Sequence, residues 1–163
     1  MSSSPTEALS PVDGRYRAAT EPLRSLLSEA GLIRERIRIE ARWLLHLAAS
    51  VPELPGAKLG AEARARASVL ADAPPAEAGD AVKRIEARIN HDVKAVEYYV
   101  RQQLSAAGAS EATLELVHFG CTSEDINNLS YALMLKSART TLVEALQTRI
   151  DELVEFAHRY ADV

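Results

Sequence analysis

Apolar residues recur every three to four positions through most of the chain, which is the spacing of one buried helical face. Val82, Ile85, Ile89, Val93, Val96, Tyr99 and Val100 keep this phase across residues 81–104. Ile33, Ile37, Ile39, Leu44, Leu47 and Ala48, joined by Trp43, keep it across residues 32–49. Alternating β-branched runs are absent, and Ala, Leu, Arg and Glu fill the long stretches, so the pattern predicts an all-α fold.

Punctuation divides the pattern into elements. Ser10-Pro11 and Asp13-Gly14 mark an ordered loop over 8–18. Thr20 is expected to cap a helix starting at Glu21-Pro22, and Gly31 to end it before a second helix over Leu32–Ala49. Pro52, Pro55, Gly56 and Gly60 make 51–60 a loop, and a helix over Ala61–Ala71 ends before Pro74-Pro75. Asn90-His91-Asp92 interrupts the 81–104 pattern, with Asp92 expected to cap a restart at Val93. After Gly108, Ser110 should cap a helix from Glu111 to about Phe119, and Gly120-Cys121 should turn the chain.

Thr122 and Asp125 then approximate a capping box opening a helix from Ser123 to about Tyr160. No Gly or Pro interrupts it. Leu129, Ala132, Leu135, Leu142, Leu146, Ile150, Leu153 and Val154 form its apolar arc, opposite Ser130, Ser137, Thr141, Glu144, Thr148, Glu152 and Glu155. A helix of this length implies long partner helices, which this sequence does not supply. The reading is therefore of part of a larger protein, or of a protomer whose helices pair between chains.

Composition narrows the function classes. With 163 residues and 47% hydrophobic content the chain can bury a core without a metal or disulfide staple. Nineteen basic against twenty-three acidic residues give a net charge of −4, against a dedicated nucleic-acid or anionic-membrane binder. The lone Cys121 excludes an internal disulfide framework and a Cys-based zinc site. Met1–Glu7 lacks the basic-then-apolar order of a targeting signal, and no run approaches a membrane span, so a soluble, cytoplasmic protein is expected.

Three clusters could carry chemistry. Asp13-Gly14-Arg15-Tyr16 offers a planar donor fork for phosphate or carboxylate and a phenol. Asn90-His91-Asp92 contains the side chain best suited to proton exchange near neutral pH. Gly120-Cys121-Thr122-Ser123-Glu124-Asp125 opens a helix, whose free N–H groups and positive end favour an anion. Taken singly, these are also an ordinary turn, a capped helix restart and a helix cap. His46, His118 and His158 read as packing or surface residues, and Cys121 as a small packing residue.

Together, Ser10–Tyr16, Asn90–Tyr98 and His118–Asn128 closely resemble the bacterial-type adenylosuccinate lyases, within the fumarase/aspartase superfamily. The likeness runs along the whole chain. It implies a purine-biosynthesis enzyme that cleaves adenylosuccinate to AMP and fumarate, and SAICAR to AICAR and fumarate, by β-elimination without a cofactor. It further implies a homotetramer built on a shared helical bundle, with no nucleic-acid or membrane partner. Residues 1–121 would be the N-terminal helical domain, and 122–163 the first long helix of the bundle. Arg15 and Tyr16 would meet the nucleotide. Asn90, His91 and Asp92 would line the substrate, with His91 the catalytic candidate near the reacting end. Thr122 and Ser123 would hold the carboxylate of the fumaryl part. The family's acid/base His and mobile-loop Ser would fall beyond Val163, so the chain alone is expected to be inactive. The rival readings are a non-catalytic helical assembly module, or a related lyase for another succinyl substrate such as argininosuccinate.

Overall fold

The computed structural model describes residues 8–162; the expectations for Met1–Glu7 and Val163 lie outside them. The described residues hold seven helices: α1 (Glu21–Leu27), α2 (Glu29–Ser50), α3 (Ala61–Asp72), α4 (Ala78–Ile89), α5 (Asp92–Ala106), α6 (Glu111–Leu114) and α7 (Ser123–Arg159). No strand occurs among them, as the hydrophobic spacing requires. The chain divides into two compact units, residues 29–133 and residues 8–28 with 134–162.

In the 29–133 unit, α2 packs against α3, α4 and α5. Ile33, Ile37, Leu44, Leu70, Val82, Val96, Val100 and Leu104 are almost wholly removed from water. The apolar positions of α2, α4 and α5 that set the helical period are those that fill this core. Burying side chains of this size stabilises by about 1.5–3 kcal/mol each. The 51–60 loop is tied to α6 through Thr113, whose Oγ1 donates to the Gly56 carbonyl at 2.8 Å. Gly56 has φ +87°, and a Cβ there would run into the backbone of Ala112 and Thr113. Only glycine lets the two backbones approach so closely.

Several boundaries differ from the sequence expectation. The first interruption falls at Ser28, which is extended, while Gly31 sits buried inside α2. Thr20 does not cap α1 through its side chain; its hydroxyl turns back toward the carbonyls of Val12, Tyr16 and Arg17. Ser110 does cap α6, but α6 stops at Leu114 rather than Phe119. Residues 115–120 form turns, with left-handed backbone at His118 (φ 65°) and Gly120 (φ 72°).

Helix α7 is continuous over 37 residues, about 55 Å at 1.5 Å per residue. Its buried positions are Ile126, Ser130, Met134 and Ala138, one i,i+4 stripe. Ser130, expected on the polar side, is fully buried because its hydroxyl donates to the Ile126 carbonyl at 2.7 Å. That local bond satisfies the hydroxyl without water. The arc of Leu129, Leu135, Leu142, Leu146, Ile150, Leu153 and Val154 is instead exposed.

Candidate active site

Two helix starts and one face of α2 build the site in the 29–133 unit. At the first start, Asn90 adopts the left-handed conformation (φ 53°) that ends α4, and its N–H donates to the Glu86 carbonyl. Asn tolerates that conformation better than most residues. The chain then reopens at His91, not at Asp92 as the sequence suggested. His91 is extended and is itself the cap of α5, because its Nδ1 accepts the Lys94 N–H at 3.0 Å. An accepting Nδ1 puts the proton of the neutral ring on Nε2. His91 therefore presents an N–H donor outward from an exposed position.

Asp92 is free of the capping role and turns to Arg36 of α2, with Oδ2 2.8 Å from Nη2. Partial burial pushes its carboxyl up, but the Val93 backbone N–H and the Arg36 guanidinium outweigh that, leaving it below its ordinary value. The same Arg36, only 5% exposed, donates through Nε to Asn127 Oδ1 at 3.0 Å. One buried guanidinium thus ties the start of α5 to the second turn of α7. Hydrogen bonds with a charged partner contribute about 1.5–3 kcal/mol each. Beside it, Ile39, Val93 and Ile126 form a small apolar cluster, with Cys121 and Leu133 packed on it.

At the second start, Thr122 and Asp125 form the capping box in full. Thr122 N–H and Oγ1–H both donate to Asp125 Oδ2 at 2.7 Å, and the Asp125 N–H donates to Thr122 Oγ1 at 3.3 Å. The Thr122 donors hold the Asp125 carboxyl below its usual range. Thr122 is thus committed to its own helix. The hydroxyl of Ser123, half-buried one residue on, makes no hydrogen bond among the described residues, so it is the one available to a ligand.

The segment leading into α7 is held by α2 as well. Trp43 Nε1–H donates to the Phe119 carbonyl at 2.8 Å, and Glu40 Oε1 lies 2.6 Å from His118 Nδ1. Arg36, Glu40 and Trp43 follow i, i+4, i+7 spacing and share one face of α2. Sequence reasoning gives none of the three a site role, Trp43 counting only among the apolar positions, and likewise none to His118, read as packing or surface, or to Asn127. A signal did exist: Glu40 interrupts the apolar run Ile33, Ile37, Ala41, Leu44, and a carboxylate inside a core stripe demands a partner.

His46 stacks on Trp43 and approaches Ser50, and His158 is exposed near the end of α7. Cys121 behaves as a packing residue: burial, then the Glu40 and Asp125 carboxylates, push its thiol up to about 11. The thiolate being the reactive form, Cys121 should alkylate at pH 7.5 about 10²-fold more slowly than a free cysteine. Mass-spectrometric timing of iodoacetamide labelling checks this; labelling at the free-cysteine rate would contradict it.

Arg15 and Tyr16 belong to the other unit. The loop carrying them is closed by the bonds Gly14 N–H to Ser10 carbonyl and Tyr16 N–H to Pro11 carbonyl, and Asp13 pairs with Arg24 at 3.2 Å. Arg15 sits 5.5 Å from the centre of the Tyr16 ring. Together with Ala8, Ser10, Pro11 and Gly14 they line a recess of about 400 Å³. A guanidinium and a half-exposed phenol at the rim suit an anionic, ring-bearing ligand.

A protein-family model described as lyase matches residues 14–163. The chain is 43% identical over 170 aligned residues to the adenylosuccinate lyase of Vibrio cholerae, covering 100% of this chain and 36% of that protein. It is 40% identical over 166 residues to that of Escherichia coli K12, and 42% over 166 residues to that of Haemophilus influenzae, with the same coverage. The chain thus spans about a third of the length of these curated relatives.

Proposed function

The chain belongs to this lyase family, and on that premise we propose that it is the N-terminal part of an adenylosuccinate lyase. The observation that carries the reading is Arg36, which gathers the His91-capped start of α5 and the first turns of α7 around one buried cation. Two helix N-termini, an outward imidazole N–H and an unengaged Ser123 hydroxyl suit a carboxylate-bearing substrate.

In this reading the whole enzyme cleaves adenylosuccinate to AMP and fumarate, and SAICAR to AICAR and fumarate, by β-elimination. A base removes a proton beside a carboxylate, and an acid protonates the departing nitrogen. Ser123 and the free N–H groups of α7 hold a carboxylate of the fumaryl part, with Thr122 fixing that helix start through its bonds to Asp125. His91 Nε2–H donates to the substrate near the breaking bond, while its Nδ1 stays on Lys94. Asn90 and Asp92 line the same edge, and Arg15 and Tyr16 take the nucleotide. No cofactor enters. The acid/base His and the loop Ser of the family belong to segments outside these 163 residues, so the complete protein is needed for turnover. The protein works in the cytoplasm, in purine biosynthesis. It assembles as a homotetramer through the exposed apolar side of α7 around Leu142, Leu146 and Ile150, a patch a lone protomer would leave in water.

The test pairs two samples. The purified 163-residue chain should release no fumarate from adenylosuccinate, and should sediment as an oligomer. The same chain extended to the length of its relatives should turn adenylosuccinate over. Fumarate release by the short chain at the rate of the long one, or a long chain inactive on adenylosuccinate, refutes the reading.

A further inference from the structure

His118 and Asn90 are the two non-glycine residues with positive φ among the described residues; Asn90 directly precedes the His91 cap of α5, and His118 lies four residues before Thr122 at the start of α7. For histidine the left-handed region is strained, and strain persists only where surrounding contacts hold it. What holds it is Glu40 Oε1, 2.6 Å from Nδ1. Glu40 is fully buried in the middle of α2, and its second oxygen, Oε2, has no hydrogen-bond partner. Burial drives its carboxyl above the ordinary value. A buried carboxylate with an orphan oxygen is poorer for stability than an apolar residue of similar size would be. The core therefore does not explain Glu40.

Its position does. From His118 the chain reaches Thr122 in four residues. Cys121 N–H bonds back to the His118 carbonyl at 3.1 Å, and Trp43 fixes the intervening Phe119 carbonyl. Little freedom is left between the Glu40–His118 bond and the first turn of α7. Arg36 pins the far side of that turn through Asn127.

We propose that Glu40 and His118 are a positioning pair for the lyase site: by locking the left-handed turn at His118 onto α2, they hold the first turn of α7 in the geometry that grips the substrate carboxylate. The role rests on the reading of that turn as a carboxylate site, and it is geometric rather than electrostatic. It needs a donor at residue 118 that tolerates positive φ, and an acceptor at residue 40.

The variants follow from that requirement. His118→Ala removes the donor and makes the conformation costlier. His118→Asn keeps an N–H near the Nδ1 position and accepts the left-handed backbone. Glu40→Gln keeps the acceptor without the charge. Amide hydrogen exchange in the full chain reads the geometry at Asn127, Asn128 and Leu129, whose helical bonds run to residues 123–125. His118→Ala should speed exchange there by about tenfold or more, leave α3 amides unchanged, and be restored to within about threefold by Asn. Glu40→Gln should behave like His118→Asn. In the extended enzyme, His118→Ala should raise KM for adenylosuccinate about tenfold with kcat little changed, and Asn should again restore it.

Unchanged exchange in His118→Ala overturns the proposal. Full protection in His118→Asn with turnover as damaged as in Ala also overturns it, because the ring's Nε2 would then be touching substrate. An extended wild-type enzyme without activity on adenylosuccinate would sink the functional reading, while the exchange result still decides the positioning role.

Discussion

His91→Asn, introduced into the chain extended to the length of its relatives, is expected to lower kcat for adenylosuccinate by about 10²-fold or more. The helix itself should be spared. Asn is among the best N-cap residues, so its side-chain oxygen can take the Lys94 N–H that Nδ1 now accepts. What disappears is the ring's outward Nε2–H. The substitution therefore separates the observed task of one nitrogen, capping, from the task proposed for the other, donation to substrate. Melting temperature should stay within about 2 °C of the parent, the scatter expected of a substitution that keeps its cap. Steady-state kinetics with a parallel thermal melt checks both halves. A variant with parental kcat removes His91 from the chemistry; one that melts much earlier shows that the cap, not the donor, was lost.

Gly56→Ala should be the most damaging small substitution for stability, at about 3 kcal/mol or more. Two penalties act together. A residue with a side chain resists φ +87°, and the added methyl meets the main chain of Ala112 and Thr113, which no rotamer change can move aside. The carbonyl that accepts from Thr113 would also shift, weakening the bond that ties this buried hydroxyl to the loop. For a chain of this size the loss corresponds to a fall in melting temperature of roughly 10 °C. Gly60→Ala is the control, because a methyl there meets nothing. Equal melting temperatures for the two variants would show that the 51–60 loop yields freely at α6.

Helix content was legible because breakers stand where the chain breaks. Pro52 and Pro55, Pro74-Pro75, Asn90 and Gly108 all fall between observed helices. Glycine alone misled at residue 31. A buried position inside a helix can favour the smallest side chain, and no local rule separates that use from a stop. The opposite error occurred at α6. Its residues favour helix, but the chain has to turn before α7, and Glu40 and Trp43 hold it in that turn. Ser130 shows a third limit: a hydroxyl that bonds to its own helix can be buried, so polarity did not mark the exposed side of α7.

The candidate site was half legible. Its helix starts, with the Thr122–Asp125 box and the Asn90 interruption, are local and could be read directly. Arg36, Glu40 and Trp43 act on residues 56 to 91 positions away, a span over which pattern carries no information. The division of labour between Thr122 and Ser123 was equally hidden, since it depends on which hydroxyl its neighbours already occupy.

Helix α2 has one further consequence. Its apolar side chains are the floor of the core, and Arg36, Glu40 and Trp43, with Ile39 beside them, are the handles by which that floor holds the starts of α5 and α7. Thermal loosening beneath α2 should therefore blunt ligand grip before the molecule melts, and any repacking that firms the floor should sharpen it. In this protein robustness and affinity are turned by one screw.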